Sequence, residues 1–257
     1  MRVLAEGSSL AGTVRVLAVL LAGYLVLAQP VVGAWSHRRF RRSADTRRGR
    51  LGRYRRTAAV EWGLVAASLA LVAAAPGLDL ADIGVRWPRG SAYTLVGTAG
   101  LVLSVALLVG LRRRVDRGVD VVAPAEVSAL LPRTAAERRA FAGLAVTAGI
   151  CEEVLYRGVL LAIAVAVLPG LAPWRLVVLS ALAFALAHAY QGVAGMLTAL
   201  VLGGSLAVLY VGSGSLLLPV VYHVLVDLRV LVLAVDRYRP RPRHRARPAV
   251  PERTGPA

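Results

Sequence analysis

The stretch "TAGICEEVLYRGVLL", residues 147–161, places two adjacent carboxylates, Glu152 and Glu153, and a guanidinium, Arg157, in a segment otherwise apolar enough to enter a lipid bilayer. Charged side chains inside a span cost roughly 2.5–3.5 kcal/mol each on insertion scales, so they call for a functional or structural reason. The rest of the chain makes the bilayer the relevant solvent. Of 257 residues, 57% are hydrophobic and the mean hydropathy is +0.64, whereas soluble domains use roughly 45–50% apolar residues. Several apolar runs approach or exceed the roughly 20 residues a helix needs to cross the hydrocarbon core. The connections between them are too short for a second sizeable domain. The fold class read from this pattern is all-α, a polytopic transmembrane helical bundle.

Seven candidate spans cover residues 16–35, 57–76, 91–111, 140–168, 173–190, 193–211 and 215–235, with six and eight as the bounds of the count. The fourth is long enough for two helices or one tilted helix. The first resembles a signal peptide in length, but the arginine-rich stretch behind it opposes export, and it is kept as a span. The chain then divides into spans one to three with their basic loops (1–130), a core of four spans (131–235) and a tail (236–257).

The balance of 31 basic to 14 acidic residues gives a net charge of +17, and every one of the cationic residues is arginine. They are not spread over a nucleic-acid-binding face. Residues 36–56 hold ten, 112–139 hold seven and the tail after Asp236 holds seven, whereas 77–90 hold only Arg86 and Arg89. Placing the rich segments in the cytoplasm needs an even number of spans between each pair, and the seven-span reading gives two and then four. The expected protein is a multi-pass cell-membrane protein with its N-terminus outside and its C-terminus cytoplasmic. The tail alternates arginine with proline and is read as disordered, touching anionic lipid headgroups. Residues 130–141, "LLPRTAAERRAF", read as an amphipathic surface helix capped by Thr134 with Glu137 three residues on. Cys151 is the sole cysteine, which excludes an internal disulfide and a cysteine-rich zinc site.

Within the spans the ionisable set is small. It comprises Glu61, Glu152, Glu153, Arg157, Asp227 and the histidines His188 and His223, with Arg175 and Arg229 near span ends. Residues four apart share a helix face, so Glu153 and Arg157 pair and serve as scaffold. Glu152 is turned about 100° away and is left to face a cavity. "HVLVD" sets His223 and Asp227 on one face, and "FALAH" aligns Phe184 with His188. Glu61, beside Trp62, is read as an interhelix polar contact.

A carboxylate and two imidazoles aimed at one point support hydrolysis. Glutamate acts as general base toward water, one histidine shares that work, and the other stabilises a developing oxyanion. Glu152, His188 and His223 are also a ligand set that a divalent metal such as zinc accepts, with a position left for water. The residues leave both routes open, and the first needs no cofactor. The rival readings are an ion-coupled transporter, since buried Glu, Asp and His also form relays, and a non-enzymatic membrane interaction or immunity protein. A lone intramembrane histidine is often a packing residue. Cys151 carries no sign of activation.

The motifs "EEVLYRG", "FALAH" and "HVLVD" resemble the EExxxR, FxxxH and HxxxN/D motifs of the CPBP intramembrane proteases. That group contains the type II CAAX prenyl endopeptidases and the bacteriocin-processing (Abi) proteins. The likeness is best from Leu131 to Arg229, and "ADIGVRWPRG" (81–90) looks like a looser upstream feature. The resemblance implies a compact helical endopeptidase opening to the cytoplasmic side, with membrane lipids and a peptide or protein substrate as partners. Glu152 and His188 would activate water, His223 and Asp227 would support the oxyanion or a metal, and Glu153 with Arg157 would hold the helix. Tyr156 replaces a common phenylalanine. Asp227 stands where many members have asparagine and would orient His223 or assist a metal, since an ionised carboxylate donates no hydrogen bond. One expectation is strained. At about 1.5 Å per residue, Glu152 and His223 lie roughly 18 Å deep and His188 only about 9 Å. A shared site needs a later start to the fourth span, an extension of the fifth past Gly192, or tilts.

Overall fold

The structure, a computed structural model, describes residues 12–41, 47–118, 121–123, 128–232 and 238–240. Helix α1 is Gly12–Arg41, with a π turn at Tyr24–Ala28. Helix α2 is Arg47–Ala74 and α3 is Ser91–Asp116. Helix α4, Ala135–Glu153, passes through a π turn at Val154–Val159 into α5, Leu160–Val167, so the fourth span is one rod with an altered register inside it. Helices α6, Pro173–Ala187, α7, Gly192–Ser213, and α8, Leu217–Val232, complete the set. The molecule is a helical membrane bundle, as the sequence pattern indicates. Four helices, Gly12–Arg41, Gly49–Ala74, Ser91–Asp116 and Ala189–Ser213, are each long and apolar enough to cross a membrane. Large apolar side chains such as Leu27, Val96 and Val201 are exposed while Glu153 and Arg157 are buried, an inversion suited to lipid.

Two short strands were not anticipated. Val121–Ala123 (β1) and Tyr238–Pro240 (β2) pair in parallel, so the first part of the tail read as disordered is partly ordered. The rest of the tail, 241–257, lies outside the described residues.

The arginine-rich stretches meet at one end of the bundle. Tyr54 donates its hydroxyl to the Leu130 carbonyl, Arg50 pairs with Glu137 at 3.0 Å, and Arg138 donates to the Leu231 carbonyl at 2.8 Å. At the other end Arg86 donates to the Gly214 carbonyl and the Arg89 amide to Ser213, both at 2.8 Å. The basic segments are more helical than their sequence reading: α1 runs to Arg41 and α2 starts at Arg47.

The predicted cap at Thr134 is present as a reciprocal capping box with Glu137. The helix it opens does not lie flat on a surface, however, but is the first part of the fourth rod. Arg50 pairs with Glu137, the Tyr54 and Phe141 rings meet edge to face at 5.7 Å, and Trp62 donates to Thr147 at 3.3 Å. These contacts set α2 and α4 parallel and in constant register. Thr57, just beyond the arginines of α2, is level with about Leu144. On that register residue 144 rather than 140 is level with the end of the arginines of α2, and Glu152 stands about 12 Å beyond that level at 1.5 Å per residue. The fifth span does not extend past Gly192. Measured from that level Glu152 stands near the depth read for His188, and the two side chains meet.

Helices α4 and α8 approach closely because Gly149 has no side chain. A Cβ there would stand 2.9 Å from the Val224 nitrogen and 3.1 Å from its Cα. The core surrounds the π turn, in which Val154 through Val159 are all buried. The segment "ADIGVRWPRG" closes over it, with the Ile83 carbonyl 2.8 Å from where a Cβ of Gly158 would sit.

Candidate active site

Glu152 and Glu153 end α4, immediately before the π turn, and face different surroundings. Glu153 is fully buried. Its Oε1 accepts from Arg157 Nη1 at 2.8 Å, the predicted i,i+4 pair, and also from His223 Nδ1 at 2.8 Å. Arg157 is completed by a 3.1 Å bond to the Gly203 carbonyl and by the Phe184 ring 4.3 Å beneath its guanidinium. This buried charge pair is thus supported by further hydrogen bonds, which makes its burial more tolerable, while Glu153 Oε2 and Arg157 Nε have no hydrogen-bond partner. The second partner of Glu153 is new, because the spacing argument gave it Arg157 alone. It also revises Asp227, whose Oδ2 is 3.8 Å from His223 Nε2 and beyond hydrogen-bond reach. Glu153 orients His223.

Helix α6 ends at Ala187, and the chain turns through Ala189–Gln191 and Gly192, whose φ of 77° suits glycine. His188 lies at this turn. Its Nδ1 bonds the Phe184 carbonyl at 2.8 Å, and since a carbonyl only accepts, Nδ1 is the donor. Its ring lies 4.4 Å from the Phe184 ring. Phe184 also meets the edges of His223 at 5.6 Å and Tyr156 at 5.5 Å. The motif phenylalanine is therefore the packing hub of both imidazoles. Tyr156 uses its extra hydroxyl to reach Gln29 on α1 at 2.8 Å.

With their Nδ1 atoms committed, both imidazoles turn Nε2 toward Glu152. Its Oε2 is 3.8 Å from His188 Nε2 and 3.9 Å from His223 Nε2, and it is buried with no hydrogen-bond partner. Both gaps are too long for a direct bond and suit one small molecule held by bonds of about 2.8 Å. The three helices thus converge as the motif spacing predicts. The donor types are those zinc accepts. Among the described residues, however, no group of three His, Cys, Asp or Glu side chains is arranged to hold an ion. Cys151 is sealed in the core.

Around this point lies a cavity of about 230 Å³, lined by Glu152, His188, His223 and Asp227 and also by Glu61 and Tyr190. Glu61 is the residue that the sequence reading misplaced. It is buried, faces the same cavity, and its Oε2 has no hydrogen-bond partner. Its neighbour Trp62 bonds Thr147 instead. The signal for it was an ionisable residue in a span without a partner at helical spacing.

Residues 136–229 match the family described as type II CAAX prenyl endopeptidase Rce1-like. That segment is an Rce1-like domain. It runs from the first turn of α4 into the last turns of α8 and contains Glu152, Glu153, Arg157, Phe184, His188, His223 and Asp227. Glu61 and the 81–90 segment lie outside it. The match bears out the resemblance to the CAAX-protease group over that segment, whose family is described as an endopeptidase. No curated protein and no solved structure matches the chain.

Proposed function

We propose that the chain is an intramembrane endopeptidase that hydrolyses a peptide bond of a membrane-associated substrate by a glutamate-activated water. The observation carrying this reading is the unpartnered Glu152 Oε2 facing two imidazole Nε2 atoms at 3.8 and 3.9 Å. A water in that gap gives one proton to Glu152 and directs its other hydrogen to His188 Nε2, whose lone pair is left free by the Nδ1 bond to Phe184. The water oxygen attacks the peptide carbonyl carbon, forming a tetrahedral intermediate.

His223, carrying protons on both ring nitrogens, donates Nε2–H to the oxyanion while Glu153 holds Nδ1–H. Asp227, an acceptor only, supports the charge of that imidazolium rather than bonding the oxyanion. Collapse of the intermediate breaks the C–N bond, and the proton held by Glu152 passes to the leaving amine. The basic end of the bundle lies in the cytoplasm in this reading, the C-terminus with it, and the cavity admits substrate from that side past Leu130 and Leu131.

The test is cleavage by the purified protein in lipid. General acid–base groups contribute about 10²–10⁴-fold, so Glu152→Gln should lose at least that much while still inserting in membranes, and His188→Ala and His223→Ala should follow. Full activity of Glu152→Gln sinks the proposal. Activity that tracks stoichiometric bound metal would replace the water route with the metal route.

A further inference from the structure

We propose that Glu61 is a cation-binding subsite of the cavity, and that the substrate bears a protonated amine or guanidinium, from lysine, arginine or a free N-terminus, close to the scissile bond. The inference rests on the endopeptidase reading and deepens it by naming a substrate class.

The first support is charge placement. The chain has 31 basic and 14 acidic residues, yet three carboxylates, Glu61, Glu152 and Asp227, line one cavity. Its lining cation, Arg229, is exposed at the rim and donates to the Val226 carbonyl. In a strongly positive protein this cavity gathers acidic groups, and in a low-dielectric surround the charge they carry is focused on whatever enters.

The second support is the state of Glu61 itself. It is 9% exposed and Oε2 has no partner, although a buried acceptor left unsatisfied is costly. Two donors of the same lining are engaged elsewhere, Tyr54 with the Leu130 carbonyl and Gln191 with the Tyr190 hydroxyl. A cationic substrate group satisfies the carboxylate with a charge-assisted bond, the stronger class of hydrogen bond. Glu152 and Asp227 have neighbouring histidines within 4 Å, whereas Glu61 has no such imidazole or arginine among the described residues. Glu61 is therefore the carboxylate left for the substrate.

Two measurements test this. In the first, fluorescent decapeptide pools with one fixed central residue, Lys, Arg, Gln or Glu, are titrated against the Glu152→Gln protein in detergent, so that binding is read without cleavage. The Lys and Arg pools should bind about tenfold more tightly than the Gln pool. Adding Glu61→Gln should erase that ratio, and Glu61→Asp should keep most of it. Equal affinity across the four pools, or a ratio that survives Glu61→Gln, overturns the proposal.

In the second, wild-type protein digests a proteome-derived peptide pool and the cut sites are read by mass spectrometry. A lysine or arginine should be enriched at one position near the cut, and that enrichment should vanish among the cuts made by Glu61→Gln. Cutting without enrichment overturns the subsite and leaves the endopeptidase reading standing. An absence of cutting together with a Glu61-dependent Lys and Arg preference in binding does the reverse.

Discussion

His223 and Glu153 are joined by a 2.8 Å hydrogen bond from Nδ1 to Oε1, across helices α8 and α4. The same oxygen holds Arg157, so one buried carboxylate fixes both the scaffold cation and the imidazole of the candidate oxyanion site. Glu153→Gln keeps the shape and removes the charge. Its kcat should fall about 10²-fold, the range seen for losing an oxyanion donor, with KM little changed. The protein should also lose about 3 kcal/mol or more, because Arg157 is left buried and uncompensated. A kcat within threefold of wild type would show that His223 needs no such orientation.

Gly149 permits the contact between α4 and α8 that brings Glu153 to His223. In Gly149→Ala the new methyl meets the Val224 backbone, and backbone cannot rotate away. We expect α8 to be displaced and activity to fall at least tenfold, although no side chain of the site is changed. Overpacking of this kind costs typically 1–3 kcal/mol, measurable as a lower melting temperature in detergent.

Glu137 predicts an acid limit to stability. Burial works against its charge, but the amides of Arg133 and Thr134 and the Arg50 guanidinium outweigh burial and hold its carboxyl below the usual range. A depressed folded value contributes stability that is complete above the unfolded pKa of about 4.3 and is lost as pH falls through the folded value. The melting temperature should therefore drop as pH is lowered below that region. Glu137→Gln should lower it at pH 7 and remove this part of the acid dependence, whereas an unchanged acid limb would place the titrating group elsewhere.

A relay of carboxylates and imidazoles is also what an ion-coupled transporter carries, and flux separates the two. Proteoliposomes holding wild-type protein under an imposed pH gradient should show the same proton leak as empty vesicles. A gradient-driven flux abolished by Glu152→Gln would favour transport.

Much of the fold was legible because the signals were strong and local. The apolar runs located all seven rods, and the parity of arginine segments anticipated that residues 36–56, 112–139 and the start of the tail would meet at one end. The i,i+4 rule found Glu153 with Arg157, and the motif spacing found that Glu152, His188 and His223 converge. What spacing within one helix cannot supply is a contact between helices. That is why the bond from His223 to Glu153, the hub role of Phe184 and the entry of Glu61 into the cavity were missed, and why Asp227 was the residue offered to orient His223 or assist a metal. The apparent depth mismatch had the same origin, since the hydropathy of the fourth rod does not reveal its register on α2.

Helix α6 has 15 residues, about 22 Å at 1.5 Å per residue, against a hydrocarbon core of about 30 Å. It is too short to cross an unperturbed bilayer alone, and His188 follows its C-terminal end. Lipids that compress beside it would bring His188 closer to the interface, a response that hydrophobic mismatch commonly evokes. Turnover should consequently depend on acyl-chain length, being faster in thin bilayers that match α6 and slower in thick ones. The membrane itself would then be a determinant of rate.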